Sequence, residues 1–368
     1  MILTTDVGSL PYNGNLGTFL KDREEFLRGS AGESSDRFEA EALRAFKDKI
    51  NSIDVPAYPQ LAPMDETFLR LIEGAEKVEG GYVASSRLDL VNVANPIPEL
   101  EVIRRNSKLL HEIRGNPLRI KVCLMGPYTL SWSFINRDSV DLLQLGSAIS
   151  KLAESALFDD GHVKVDIVVV DEPLLGVVDD AGLDYGGGRR ETLLKSWAEI
   201  FHRIRKKGAK TSMHLHSTSN GIFWDAPCLD IVESHVDDHL YTSGSTRKML
   251  EEKDMFLKAS LCKTNPDVLI AASLGALALS KRGNAEELGK VWAGIRRRSI
   301  NPASFIEPKD LMRLRLMKTV EVVGEERVVL AGPECGFGGF FNYASALDCL
   351  RVVKEVVADF NRHQPRGV

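Results

Sequence analysis

Two short segments carry residues that could hold a metal. One reads Thr211-Ser212-Met213-His214-Leu215-His216, the other Ala331-Gly332-Pro333-Glu334-Cys335-Gly336. Each has the apolar run of a strand followed by a turn, so the reactive residues stand at strand ends. Side chains alternate along an extended chain, and His-x-His therefore presents both imidazoles to one side. Cys335 could join them if both strands belong to one barrel whose C-terminal ends form a site. Imidazole nitrogen plus thiolate, with one position left open, is how a catalytic zinc is held. Two core histidines and an unrelated buried thiol would give the same local pattern. Asp171 and Glu172 end a wholly apolar run, Val168-Val169-Val170. One of the two must face the strand ends, where an unpaired carboxylate is costly unless it meets a cation such as a substrate ammonium group. A helix cap or a salt bridge is the competing reading. Thr4 to Pro11 runs as a strand into a Gly8-Ser9 turn, whose amides could grip a carboxylate, although an ordinary turn looks the same.

Positioning these residues requires alternating elements. Strands are predicted at Leu3–Val7, Ile120–Leu124, Val165–Val170, Thr211–Leu215, Leu229–His235, Phe256–Leu261 and Val328–Ala331. Helices are predicted at Arg37–Ser52 (with Ser34-Ser35-Asp36 as N-cap residues), Glu99–Arg114, Ser139–Phe158, Glu191–Lys207, Thr246–Glu252 and Ala344–Asn361. Such alternation means a parallel sheet. Polar residues follow strand after strand: Gly8-Ser9, Gly126-Pro127, Asp171-Glu172, His214/His216, His235 and Cys335. In a closed (β/α)8 TIM barrel those ends converge on one mouth. The nucleotide-binding glycine fingerprints of doubly wound sheets are absent. The glycine-rich stretch 185–190 follows no strand and is expected to be a mobile loop. Residues 263–325 are mostly helical in pattern and longer than one barrel helix requires. They are expected to be an insertion before the last strand, within a single domain spanning 1–368.

At 368 residues, with 43% hydrophobic and 27% charged residues, the chain suits a large folded core. Forty-seven basic against 52 acidic residues, a net charge of −5, argue against a nucleic-acid partner. Five cysteines at scattered positions (123, 228, 262, 335, 349) are not a disulfide framework. The N-terminus lacks the pattern of a secretory leader, and no apolar stretch is long enough to span a bilayer. The expected setting is cytoplasmic.

Taken in order, residues 4–11, Gly126–Phe134, Val170–Pro173, His214–His216 and Gly332–Gly336 resemble the catalytic domain of the cobalamin-independent methionine synthase family, in a short core form without the N-terminal half. The resemblance implies a barrel, a zinc ion and methyl transfer to the sulfur of homocysteine. It implies that Val7, Gly8 and Ser9 receive the homocysteine carboxylate and that Asp171 holds its amino group. Gln60 falls near a glutamate of that pocket, and Trp132 matches an aromatic of the donor region. It further implies His214 and Cys335 as zinc ligands. The family has His-x-Cys where this chain has His216. Its remaining ligand, a glutamate, aligns with His235, while Glu233, Asp237 and Asp238 compete within a residue or two.

The donor side departs further. The family's folate segment has no counterpart around Arg87, the acid expected after Pro173 is absent, and Cys262-Lys263-Thr264 stands where a proton-donating histidine is usual. The expected donor is therefore a methylated corrinoid protein or methylcobalamin rather than methyltetrahydrofolate. Competing readings are a zinc-thiolate transfer to coenzyme M, a metal-free tetrapyrrole decarboxylase, and a catalytically silent paralogue that binds metal or a corrinoid partner. Coenzyme M has no amino group for Asp171, and a decarboxylase has no use for the His/Cys set.

Overall fold

The computed structural model describes residues 1–93, 95–275 and 281–363. The chain runs β1 (Leu3–Thr4), α1 (Leu16–Leu27), α2 (Glu33–Ser52), α3 (Met64–Leu69), β2 (Ile72–Val78), β3 (Gly81–Leu90), α4 (Pro98–Arg105), α5 (Ser107–Arg114), β4 (Leu118–Met125), α6 (Pro127–Ser131) and α7 (Leu142–Ala156). It continues through β5 (Val163–Glu172), α8 (Gly188–Lys206), β6 (Lys210–Leu215), β7 (Ile231–Glu233), α9 (Gly244–Glu252), β8 (Phe256–Cys262), α10 (Pro266–Ser273), α11 (Lys281–Arg296), α12 (Lys309–Val323), β9 (Val328–Pro333) and α13 (Tyr343–His363).

Seven strands form one curled parallel sheet in the order β1-β9-β8-β7-β6-β5-β4. This corrects the expected closed eight-stranded TIM barrel. Residues 55–60 lie between the two sheet edges and touch both, but only through isolated bridges, Thr5 with Val55, Ser9 with Gln60, and Ala57 with Lys121. The reason lies in Val55-Pro56-Ala57-Tyr58-Pro59-Gln60. Neither proline has an N–H to give to a ladder. The N–H of Ala57 goes to the Asp6 carboxylate instead (2.7 Å). What remains, Val55 N–H to Thr4, Tyr58 N–H to Lys121 and Gln60 N–H to Gly8, is too interrupted to make a strand. The fold is α/β and barrel-like.

The helices that cover the sheet do so through stripes at helical spacing. On α8, Leu193, Trp197, Ile200, Phe201 and Ile204 are all fully buried. On α7, Leu145, Ala148, Ile149, Leu152 and Ala153 do the same, and Asp141 caps the first turn by accepting from Leu143 and Gln144. Strand β5 is buried along most of its length, and its fully covered stretch Ile167–Val170 is all Ile and Val, while Lys164 and Asp166 occupy its two half-buried positions.

Three local expectations change. The helix expected at 37–52 starts at Glu33, preceded by Gly32 with no side-chain cap, so Ser34-Ser35-Asp36 lie inside its first turn. The helix expected at 99–114 is two helices, α4 and α5, meeting at Asn106. There the Asn106 amide donates to the Val102 carbonyl and to Glu39, competing with the helical backbone pattern. The antiparallel hairpin β2–β3 was not expected at all. Its sequence signal is Gly80-Gly81 between two polar strands, with Gly74 at φ +82° where the register shifts. Arg87 lies exposed on β3 of this hairpin, outside the main sheet. The glycine-rich stretch 185–190 leads directly into α8, where the largely buried Arg190 pairs with Asp225. Between β8 and β9 stand α10, α11 and α12, while residues 276–280 of the expected insertion lie outside the described residues. No helix among the described residues is long and apolar enough to cross a membrane.

Candidate metal and substrate site

His214 is the fifth residue of β6, and its side chain points to the interior of the curled sheet. Parallel pairing aligns it with Asp171 on β5 and with Glu233 on β7. One layer across three strands therefore carries an acid, an imidazole and an acid. His216 lies two residues on, past the strand end, and thus on the same side. His235 follows β7 by two residues and Cys335 follows β9 by two. The ligand atoms of His214, His216, His235 and Cys335 all lie within 4.8 Å of one another. The Cys335 Sγ is 3.5 Å from His216 Nε2, and the rings of His216 and His235 are 4.0 Å apart.

The donor set fits a metal. Both ring nitrogens of His214 and Nε2 of His235 are buried without a hydrogen-bond partner among the described residues. Orphaned buried polar atoms are rare unless something else satisfies them. Burial, and the neighbouring imidazoles, bring the His216 pKa down to about 2. Burial, then His214 and Lys258, bring His235 down to about 4. Both rings are therefore neutral at pH 7, the form that ligates a metal. Burial pushes the Cys335 thiol up to about 12. A nearby cation is what such a thiol needs to ionise.

The three competing acids are engaged elsewhere. Glu233 lies in an ionic cluster with Lys258 and, at 3.5 Å, Lys121, and its other near neighbour is His214 Nδ1 at 3.8 Å. Asp237 pairs with Lys263 at 3.0 Å. Asp238 accepts from Thr218 and from Leu240 N–H. None of them joins the four clustered residues.

Asp171 is buried, and its Oδ1 has no partner among the described residues. Burial, then the charge of Glu233, raises its pKa well above the ordinary carboxylate range. A ligand cation reaching it would reverse that shift. Its neighbour Glu172 is fully employed. It accepts from the N–H groups of Tyr128 and Thr129 at the start of α6 and from the Trp197 indole N–H (3.1, 2.7 and 3.0 Å). Of the two adjacent acids, one closes a helix end and the other is left open.

The Gly8 turn is built from beneath. Gly8 has φ +112°, and a Cβ there would come within 2.5 Å of Gln60 Oε1, so no larger residue fits. Its N–H already donates to Asp6 (3.1 Å), which removes Gly8 as a carboxylate donor. The Ser9 N–H donates to no protein acceptor among the described residues, and the Ser9 hydroxyl accepts from Gly338 N–H (3.1 Å). Gln60 donates to Tyr58 and to the Cys123 carbonyl, leaving its Oε1 buried and unpartnered. Val7 is buried beside this turn. Trp132 follows α6, with the Arg137 guanidinium 3.7 Å above its ring. A cleft of about 650 Å3 opens beside His216, His235 and Cys335, and Lys263, Asn265 and Trp292 also line it.

Comparison with solved structures finds relatives of the fold. A Listeria monocytogenes protein assigned to the vitamin-B12-independent methionine synthases matches with a TM-score of 0.57 at 15% identity, over 96% of each chain. A B12-independent methionine synthase from Shewanella sp. W3-18-1, solved with selenomethionine, matches with a TM-score of 0.56 at 14% identity, over 98% of this chain and 99% of that one. This chain shares the fold of these two proteins. No protein-family model matches it, and no curated protein sequence matches it significantly. The likeness is therefore one of architecture, extending over nearly the whole length of both chains.

Several residues in that fold's interior escaped the sequence reading. Lys121 and Lys258 interrupt otherwise apolar strands, Ile120-Lys121-Val122 and Leu257-Lys258-Ala259, and both are fully buried. A lysine in a strand covered on both faces was the available signal. Lys49 of α2 is also fully buried and donates to Asp6 (2.6 Å) and to the Gly8 carbonyl. Glu334 was seen only as part of the motif around Cys335.

Proposed function

We propose that the chain is a zinc-dependent methyltransferase of the methionine-synthase type, with the thiol of homocysteine as methyl acceptor. The observation that carries this is the convergence of His214, His216, His235 and Cys335 beside an open, buried carboxylate, Asp171. In this reading the four residues hold the metal, and zinc held there would lower the pKa of a substrate thiol toward neutrality. Asp171 accepts the substrate ammonium. The Ser9 N–H, helped by Gln60 and the buried wall at Val7, receives the amino-acid head. Gly8 contributes shape rather than a hydrogen bond. The layout orients a short amino acid with its head toward Asp171 and its sulfur toward the histidines.

The fold match with two methionine synthases supports this reading over transfer to coenzyme M, which has no ammonium group, and over a metal-free decarboxylase. The residues 263–325 are read as an insertion within one domain, supplying Lys263, Asn265 and Trp292 to the cleft wall. The methylated corrinoid expected as donor rests only on pieces missing from the chain. Both structural neighbours are named as B12-independent enzymes, and the proposal is confined to the metal and the acceptor.

Metal analysis of the purified protein, with and without homocysteine, tests it. Near-stoichiometric zinc and a homocysteine-dependent change in its X-ray absorption spectrum are expected. Protein that takes up no zinc, yet is folded, would overturn the reading.

A further inference from the structure

Glu334 stands immediately before Cys335 and has no charged partner within salt-bridge distance among the described residues, although it is only 6% exposed. Its two carboxylate oxygens reach two other loops. Oε2 accepts from the Val236 N–H at 3.0 Å, and Oε1 accepts from the Thr264 N–H at 3.0 Å. Its own N–H donates to the Cys262 carbonyl at 2.9 Å. Val236 is the residue after His235, and Thr264 lies in the loop that follows β8. One side chain thus ties together the loops after β7, β8 and β9.

The tie has something to hold. Asp237, next to Val236, has φ +68°, a left-handed conformation unfavourable for a residue with a Cβ. Among the described residues, the Glu334–Val236 bond is the one hydrogen bond between segments 234–241 and 334–341. Asp237–Lys263 and Asp238–Thr218 hold this turn to other loops, but only the Glu334 bond links it directly to the segment that carries Cys335.

We propose that Glu334 is a positioning residue that fixes the separation of His235 and Cys335. This rests on the metal reading given above. The chemistry of the side chain matters. A carboxylate offers an acceptor to both N–H groups, whereas glutamine turns an NH2 donor toward one of them, and aspartate is one methylene too short to span both loops. Residues that orient metal ligands typically change affinity by 10- to 100-fold when altered.

The test compares wild type with Glu334→Gln and Glu334→Asp in two measurements, with Cys335→Ser as control. Hydrogen exchange read by mass spectrometry needs no metal. Peptides covering 234–238 and 263–266 should exchange faster in both variants, and peptides of α7 and α8 should not. Cobalt(II) titration should show binding about 10- to 100-fold weaker in Glu334→Gln, with a shifted d–d spectrum but a retained thiolate charge-transfer band. Cys335→Ser should abolish that band. Unchanged exchange in the two loops, or wild-type cobalt affinity and spectrum in both variants, would overturn the role of Glu334. Cobalt ignored by the wild type itself would instead overturn the metal reading, and the exchange result would then decide whether Glu334 joins the loops.

Discussion

Asp171 and His214 are direct register partners on the adjacent parallel strands β5 and β6. Their side chains therefore leave the same layer of the sheet, one ending in an unpartnered carboxylate oxygen and the other in two unpartnered ring nitrogens. A substrate whose cationic end meets Asp171 is thereby held within a side chain's reach of the histidines. Asp171→Asn should raise the KM for homocysteine by roughly 10- to 1,000-fold, from loss of a partly desolvated ion pair. Zinc content should not change. Steady-state kinetics alongside metal analysis separates the two effects, and equal loss of zinc would contradict the role.

Cys335→Ser should remove most bound zinc while leaving the far-ultraviolet circular dichroism spectrum intact. His235→Ala should weaken zinc by at least about tenfold. Asp238→Ala should retain it, because Asp238 is occupied with Thr218 and Leu240. Zinc lost from Asp238→Ala and kept by His235→Ala would reverse the ligand assignment.

Glu172 makes a prediction about pH. Burial raises its pKa from 4.5 to about 7, against the opposing help of Trp197 and two backbone N–H groups. The unfolded chain ionises this acid first, so folding stability from this group is fullest below about pH 4.5. It falls as pH rises toward 7 and stays low above that. The swing is on the order of 3 kcal/mol. Glu172→Gln carries a constant penalty from a misplaced NH2 group but no swing. The difference in melting temperature between variant and wild type should therefore move in favour of the variant between pH 4.5 and 7. A constant difference across that window would mean that Glu172 titrates near its ordinary value.

Lys49→Met would leave Asp6 buried without its cation. Removing one partner of such a pair costs about 3–5 kcal/mol, which denaturant titration would register directly. Because Lys49 also donates to the Gly8 carbonyl, homocysteine binding should weaken in whatever fraction remains folded, with zinc retained. A stability loss under about 1 kcal/mol would mean that the lysine is neutral in the fold, in keeping with the lowering of its pKa by burial.

Much of this was legible in the chain itself. The stretch Ile167–Val170 of strand β5 is unbroken Ile and Val, and α8 carries a stripe of Leu, Trp, Ile and Phe, because a sheet covered on both faces and a helix covered on one each demand that pattern. His-x-His at the end of an apolar run and Cys335 after another were local signals, since alternation alone decides which side chains share a face. What tertiary structure decided were the relations between strands. Parallel register sets Asp171 beside His214 and His214 beside Glu233, and no spacing along the chain encodes that. That His235 rather than Glu233 clusters with the other three residues is likewise a tertiary matter, since Lys121 and Lys258 reach Glu233 from β4 and β8 and engage its charge. The open ladder turned on Pro56 and Pro59, whose missing N–H groups matter only once residues 55–60 lie between two sheet edges. Side-chain periodicity is a property of one segment, whereas register, ion pairing and closure belong to segments far apart, which meet only when the core is formed.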